Sequence, residues 1–526
     1  MQEAENKKVY LVGAGIASLA SAAYFIKEGK ILGKNILIFE ESNKIGGSLD
    51  GERFSGNAHV LRGYRVFENK VYTSTFNLMS FVPSLVNGGK TIMDDFLRFN
   101  EENIFFDKCR LVENGIKIPD HFGLDFRDRW DLIKMLNRSE KSLGSSEIKD
   151  HFEADFFETN YWCEVCTLFA FQPWHSAAEF RRYCLRGLHE FPNISTMTWV
   201  KSTPYNQYDS IVLPLLKWLK ERGVRFEEGS RVYDFDFGQD KKVERIYYFK
   251  GPAKKEIIVG KNDYVLATVG SIIADSSNGS MDKVPFQKTD DSLPGALELW
   301  ENISKKQENF GRPSVFRSNI DKSKIESFTI TFQDRDIPEL IKKFTGREAG
   351  RGEIITFKDS NWLISIIVPR QPYFINQPKG LTVSWGYALS PDKEGNYVKK
   401  KMSECNGKEI LIELFSHFRF YKEIRMEELI RKSICIPSML PYGTSQFLPR
   451  KDGDRPAVIP KGSKNFAFIG QFCEIPEEIA FTVEYSVRSA QIAVFSLLNI
   501  KEKMTPMFKS KKRISVLYHA LKAIFK

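Results

Sequence analysis

The sequence predicts an α/β protein: a Rossmann-like dinucleotide-binding domain, discontinuous in the chain, joined to a mixed α+β second domain and a helical C-terminal part. Three observations predict it. The apolar run Val9-Tyr10-Leu11-Val12 leads directly into Gly13-Ala14-Gly15-Ile16-Ala17-Ser18, the order of strand, glycine turn and helix N-terminus at which a pyrophosphate is bound. The next apolar run, Asn35-Ile36-Leu37-Ile38-Phe39, closes on Glu40, a carboxylate placed to accept the hydrogens of a ribose diol. Late in the chain, residues 263–270 and 465–470 each read as an apolar strand entering a glycine turn, the pattern of strands that return to the first sheet.

Each element follows from its residues. Gly13 and Gly15 let the backbone approach a pyrophosphate, whose charge then faces the N-terminus of a helix over residues 16–27. Ser18 stands where a third small residue is usual. Beyond Glu40 and Glu41, the pair Gly46-Gly47 before Ser48 matches the FAD form of the fold rather than the NAD form, so FAD is the expected cofactor. Aromatic density over residues 150–190 predicts a helical channel wall, and residues 210–222 read as a helix. Strands are expected at residues 224–250 and 256–267, leading to Thr268, Gly270 and Ser271. A middle region with strands at 327–332, 362–368 and 381–385 forms a substrate domain. A helix from about 481 to 498, behind Gly470 and bearing Thr482 and Ser486, closes over the cofactor. The expected boundaries are 1–150 for the first part of the FAD domain, 151–210 for the channel wall and 211–285 for its return strands. The substrate domain then takes 286–440, the closing segment 441–500 and a basic amphipathic helix 501–526.

Composition bounds the rest. A chain of 526 residues, 42% hydrophobic and 13% aromatic, can bury the cores of two or three domains. The opening residues are polar and mixed in sign, and no apolar run is long enough to span a bilayer, so a cytoplasmic protein is expected. Seven cysteines without a regular framework are expected as reduced thiols, and the isolated Cys163-x-x-Cys166 predicts no metal site. The net charge of +10 is concentrated in residues 501–526, where eight Lys or Arg face one Glu. Ile514, Leu517, Tyr518, Leu521, Ile524 and Phe525 recur there at helical spacing. Such a helix either lies on an anionic membrane surface or docks its stripe on the body. No recognised module accompanies the charge to suggest nucleic acid.

Longer motifs carry a resemblance. Ile38-Phe39-Glu40-Glu41, Gly46-Gly47-Ser48-Leu49-Asp50-Gly51, Phe156-Phe157-Glu158-Thr159-Asn160, Trp174-His175-Ser176, Tyr205-Asn206-Gln207-Tyr208, Trp385-Gly386-Tyr387, Asp454-Arg455-Pro456 and Thr482-Val483-Glu484-Tyr485-Ser486 occur in order along most of the chain. With them the sequence resembles the FAD-containing fatty acid hydratases, the oleate hydratase or myosin-cross-reactive antigen family. The resemblance implies hydration of an isolated cis double bond in a long-chain unsaturated fatty acid, with FAD organising the site without net redox change. It also implies a homodimer, and a proton donor at Tyr205 of the Tyr-Asn-Gln-Tyr motif.

The chain departs from that pattern at two positions. Where the family carries an Arg-Gly-Gly-Arg-Glu-Met loop, this sequence reads Arg62-Gly63-Tyr64-Arg65-Val66-Phe67, so the family's water-activating glutamate is Val66. A second tyrosine of the pattern falls on Glu164. Three readings are open for the missing base: Glu164 replaces it from another wall, Glu68 swings in, or water is held by backbone and tyrosine groups alone. Glu164 could equally pair with a cation such as Arg65, Arg181 or Arg182. Arg65 keeps a guanidinium fork for the cofactor or a carboxylate. Val66, Tyr208, Thr444, Ser445 and Gln446 are the candidate substrate contacts, and His175 and His189 read as structural. A flavin-dependent isomerase or oxidoreductase acting on fatty acids, and a fatty acid carrier that has lost its chemistry, are the alternatives.

Overall fold

The computed structural model describes residues 7–119, 121–287, 293–352 and 354–509. A five-stranded parallel sheet brings together strands from across the chain in the order Phe466–Ile469, Tyr264–Thr268, Val9–Val12, Ile36–Phe39, Arg225–Glu227. Val9 lies between Ile36 and Tyr264, and Val265 lies beside Phe466. The apolar runs Val9–Val12, Ile36–Phe39 and Phe466–Ile469 are buried throughout, as parallel strands covered on both faces must be. Helix Ile16–Lys27 packs against helix Val483–Leu497, so elements more than 450 residues apart in sequence close one layer of the fold.

An eight-stranded, mostly antiparallel sheet forms the second body. Its order is Ser277–Asn278, Ser433–Leu440, Ile325–Phe332, Thr382–Ala388, Ile364–Ile367, Ile354–Phe357, Leu111–Glu113, Ile116–Lys117. Alternation along Ile325–Phe332 decides its two faces. Phe328, Ile330 and Phe332 pack under helix Gly407–Phe418, whereas Ile325, with Tyr387 and Leu440, faces the aromatic helical region. That region is not one long helix. It is broken into Ala154–Glu158, Asn160–Phe169, Ala177–Arg186 and Leu188–Asn193, because Ala170 takes a left-handed conformation (φ 61°) and residues 171–176 turn the chain.

The segment boundaries differ from expectation in two places. Residues 111–117, expected in the first domain, lie on the edge of the second sheet. Of the expected return strands, Arg225–Glu227 and Tyr264–Thr268 join the parallel sheet, whereas Ser230–Phe237, Val243–Lys250 and Ala253–Ile258 form a separate three-stranded antiparallel sheet. The segment expected as a basic amphipathic helix lies largely outside the described residues. Among the described residues, no helix is long and apolar enough to cross a membrane.

Candidate active site: a dinucleotide cavity and an apolar chamber

The largest cavity described, about 380 Å³, opens at the C-terminal ends of the parallel strands. Two glycine turns build it. Gly13 (φ 85°) ends the first strand, and the amide of Gly46 donates to the Ala14 carbonyl at 3.0 Å. At Gly47 (φ 58°) a Cβ would stand 3.1 Å from the Gly15 Cα, so both the dihedral and the close approach require glycine. Glu40 accepts the amide of Ala14 at 2.8 Å and the amide and hydroxyl of Ser42 at 3.0 and 2.8 Å. Glu41 stands 4.0 Å from Arg231, and burial raises its pKa against that cation.

Most of the candidate cofactor residues line this cavity: Gly13, Gly15, Ala17, Glu40, Glu41, Gly47, Ser48, Thr268, Gly270, Ser271, Gly470 and Ser486. Sequence reasoning missed Ser230, Arg231 and Asp275, which line it too and carry no local signal. The donor set tests the fit to FAD. Thr268 Oγ1 and Ser230 Oγ are buried without a hydrogen-bond partner among the described residues, both on this cavity wall, and buried hydroxyls call for partners. With the glycine cradle, the helix N-terminus and the ribose-type carboxylate, the residues present fit FAD.

Three candidates lie elsewhere. Ser18 is buried in the helix with its hydroxyl unpartnered among the described residues. Thr482 caps helix Val483–Leu497, accepting the Tyr485 amide at 3.2 Å, and faces the apolar chamber described below. Arg65 lines a second cavity of about 80 Å³ with Arg62, Val66, Leu168, Gly443 and Phe481. Its guanidinium folds back over Gly63, where a Cβ would strike it at 2.0 Å, and lies 3.5 Å from the Ser48 carbonyl and 5.7 Å from the Phe481 ring centre. It therefore touches residues of both cavities. Burial lowers its pKa. Tyr64, in place of the loop's second glycine, needs no positive φ and points its hydroxyl at Ser202 Oγ, 2.8 Å away.

Val66 and Leu168 also line a third space, an apolar chamber of about 100 Å³. Helix Asn160–Phe169 gives it Tyr161, Val165 and Leu168, which share one helical face. Helix Ala177–Arg186 and the turn after it give Tyr183, Arg186 and His189, and the loop after Val66 gives Glu68 and Tyr72. Tyr183 was not among the sequence candidates. Its hydroxyl accepts the Phe481 amide at 2.9 Å, and burial raises its pKa well above the ordinary phenol value. The helix that carries it is anchored from behind. Glu179 accepts Arg450 at 2.6 Å and Arg455 at 3.0 Å, and Arg182 reaches Glu140 at 2.6 Å and Glu474 at 2.7 Å. Burial works against the Glu179 charge, but Arg455, Arg450 and Arg182 overcome it and hold the carboxyl down at about 2.

The remaining candidates are dispersed. Tyr205 lines a separate small recess with Met79, Leu85 and Ile375 and is not among the residues that line the chamber. Glu164 shares a helix with Tyr161 and Val165 but turns to Ser195, whose hydroxyl donates to it at 2.9 Å. Tyr208 packs its ring under Gly46. Thr444 donates to the Ser323 carbonyl at 2.9 Å. Ser445 and Gln446 are buried, with side-chain polar atoms unpartnered among the described residues. They follow Gly443, which lines the second cavity. His175 is a core histidine: its Nδ1 accepts the Gln172 amide at 3.0 Å, and burial depresses its pKa to about 3.

Fold and cradle together define a protein of the FAD-binding dinucleotide class, and a separate apolar chamber shares Val66 and Leu168 with the second cavity. The chain belongs to the MCRA family, whose model matches residues 6–495. It is 37% identical over 512 residues to the oleate hydratase of Streptococcus pyogenes serotype M49 (strain NZ131), covering 94% of this chain and 86% of that protein. It is 29% identical over 537 residues to the linoleate hydratase of Lactiplantibacillus plantarum, covering 94% of each. Among solved structures, cyclohexylamine oxidase from Brevibacterium oxydans IH-35A superposes with a TM-score of 0.56 at 12% identity, covering 94% of this chain and 100% of that one. A putrescine oxidase superposes with a TM-score of 0.51 at 11% identity, covering 94% and 99%. These oxidases share the fold.

Proposed function

We propose that the protein is an FAD-dependent hydro-lyase that adds water across an isolated cis double bond of a long-chain unsaturated fatty acid. The observation that carries the reading is the apolar chamber. It holds a buried neutral phenol, Tyr183, and shares Val66 and Leu168 with the cavity that contains Arg65, whose guanidinium lies 3.5 Å from the Ser48 carbonyl of the dinucleotide cavity. Membership of a family with a 37% identical oleate hydratase supports the substrate class.

The chemistry follows from the residues. An unactivated alkene is a poor base, so the donor must be fixed against it in a dry space. The apolar and aromatic walls seat the acyl chain. Tyr183 gives its phenolic hydrogen to one alkene carbon; its oxygen already accepts the Phe481 amide, which holds the phenolate that forms. This geometry favours Tyr183 over Tyr205 as donor. The carbon that develops positive charge shares the chamber with Glu68, which keeps its charge although burial opposes it. The His189 bond and the Lys70 and Val71 amides hold its pKa below the usual carboxylate range. FAD, held by Glu40, Thr268 and the Gly13–Gly15 and Gly46–Gly47 turns, would supply a fixed electrostatic environment, with no net exchange of electrons.

The test is product mass spectrometry after incubating FAD-loaded protein and a reductant with oleic and linoleic acids in ¹⁸O-labelled water. A labelled hydroxy acid is the expected product. An unlabelled isomer of unchanged mass, or binding without turnover, would replace this reading with the isomerase or the carrier. The basic residues at 501–526 are read as a peripheral contact with the inner face of the cell membrane, because eight cations face one Glu there. Flotation with anionic and neutral vesicles checks that contact, and light scattering on the purified protein checks the expected homodimer.

A further inference from the structure

We propose that His189, held between the carboxylates of Glu68 and Glu190 at one end of the apolar chamber, is the base that takes a proton from the attacking water. The inference rests on the hydratase reading and answers a question the sequence leaves open. The loop position where the resemblance places a water-activating glutamate is Val66, and an aliphatic side chain takes no proton. Yet the chamber that Val66 lines contains an imidazole.

The surroundings of His189 suit a base. Its Nε2 stands 3.5 Å from Glu68 Oε2 and 3.6 Å from Glu190 Oε1. Glu68 is itself immobilised: both its oxygens accept the Lys70 amide at 3.0 Å, and Oε2 also accepts the Val71 amide at 2.8 Å. With its oxygens engaged by backbone, Glu68 is a positioning residue and not the proton acceptor. An imidazolium formed here is flanked by two carboxylates in a space of low polarity, where such contacts are strongest. The other charged and titratable groups facing it are already employed or neutral. Arg186 pairs with Glu478 at 2.9 Å, Lys70 reaches Glu190 at 3.6 Å, and Tyr72 and Tyr183 are buried phenols. The Phe508 ring, edge-on to the imidazole with centres 4.9 Å apart, covers the histidine.

The step balances. A hydrogen leaves Tyr183 for one alkene carbon and a C–H bond forms. The water oxygen bonds the other carbon as its O–H bond breaks, and the imidazole receives that proton. The proton then returns to the Tyr183 phenolate before the next cycle. No electrons change hands.

The same three side chains have their ligand atoms within 4.8 Å of one another, so the experiment must separate a base from a metal ligand. FAD-loaded full-length protein is assayed on oleic and linoleic acids in ¹⁸O-labelled water, as wild type, His189→Gln, His189→Gly with added imidazole, and Glu68→Gln. For His189→Gln, kcat is expected to fall about 10²–10⁴-fold, with KM changed less than about threefold. Added imidazole should restore part of the rate of His189→Gly. In Glu68→Gln the acidic limb of the kcat profile should move to lower pH, because the lost carboxylate no longer favours the protonated ring; a structural defect would lower flavin content without moving the limb. Should His189→Gln lose flavin, His189→Asn and the Glu68→Gln limb decide in its place. Near-wild-type kcat in the histidine variants with an unmoved limb overturns the base. So does loss of wild-type activity to a chelator that zinc restores, which would make the cluster a metal site. If wild type forms no labelled hydroxy acid, the hydratase reading falls and this inference with it; if wild type hydrates and the variants do too, only this inference falls.

Discussion

The dinucleotide cavity and the apolar chamber are built in opposite ways. The first rests on backbone: Gly13 and Gly15 lie in one turn, Gly46 and Gly47 lock onto it, and Glu40 bonds the amide of Ala14. The second rests on side chains from remote segments: Val66 and Glu68 from an early loop, Tyr183 and His189 from the aromatic region, and Thr482 from the closing helix. A site made of backbone tolerates few residue types and so reads as a motif. A site made of packed side chains can place its chemistry on any wall, and this chamber sets a carboxylate, Glu68, and an imidazole, His189, beside the aliphatic Val66.

The sharpest break of this comparison is Tyr183→Phe, which keeps the ring and removes the donor. We expect kcat to fall about 10²–10⁴-fold, equivalent to roughly 3–5 kcal/mol of transition-state stabilisation, with flavin content unchanged. Tyr205→Phe should stay within about twofold of wild type. Steady-state kinetics on both variants checks this, and the reverse ranking would return the donor to the Tyr-Asn-Gln-Tyr motif.

Next comes the anchor behind the chamber. Glu179→Gln leaves Arg450 and Arg455 beside an uncharged group in a buried site, at an expected cost of about 3–5 kcal/mol in denaturant unfolding. In wild type the folded carboxyl titrates at about 2, below its ordinary 4.5. Its contribution is therefore complete above pH 4.5 and is lost as the pH falls toward 2. Unfolding curves that coincide for wild type and variant would remove the anchor from the account.

Gly47→Val tests the backbone cavity alone. A β-branched residue at φ 58° pressed on Gly15 should cost about 3 kcal/mol locally and weaken flavin binding by about a hundredfold, leaving the chamber intact. The flavin-to-protein absorbance ratio and fatty acid binding to the apo form read the two sites separately.

The smallest expected effect is a pH dependence. His175 titrates at about 3 when folded against an ordinary 6.5, so between those values the unfolded chain binds a proton that the folded protein does not. Stability should fall by roughly 2 kcal/mol from pH 7 to pH 5 on this account. Thermal melts of wild type and His175→Gln should diverge over that range, the wild type losing more, and parallel curves would refute the assignment.

The legibility of each part follows the same division. Strand Val9–Val12, the glycine turn, helix Ile16–Lys27 and Glu40 were readable because they are contiguous and their chemistry is backbone geometry. Residues 264–268, 466–469 and the helix from Val483 were readable because buried parallel strands and a capped helix leave apolar runs. Ser230 and Arg231 were not, since a residue that reaches the cavity from an antiparallel strand looks like any other polar strand residue. Tyr205 and Glu164 were placed by motif and by pattern position, and neither quantity fixes where a side chain points. Tyr183 and His189 sit in an aromatic-rich stretch where nothing local separates a wall from a core.

By itself the sequence determined the fold class, the FAD cradle and the family, because glycine dihedrals, a helix N-terminus and apolar periodicity are properties of short segments. Only the tertiary structure decided which tyrosine, carboxylate and histidine share a chamber. That depends on the packing of helices Asn160–Phe169, Ala177–Arg186 and Val483–Leu497 around the loop at Val66, a matter of contacts between residues that no local pattern relates.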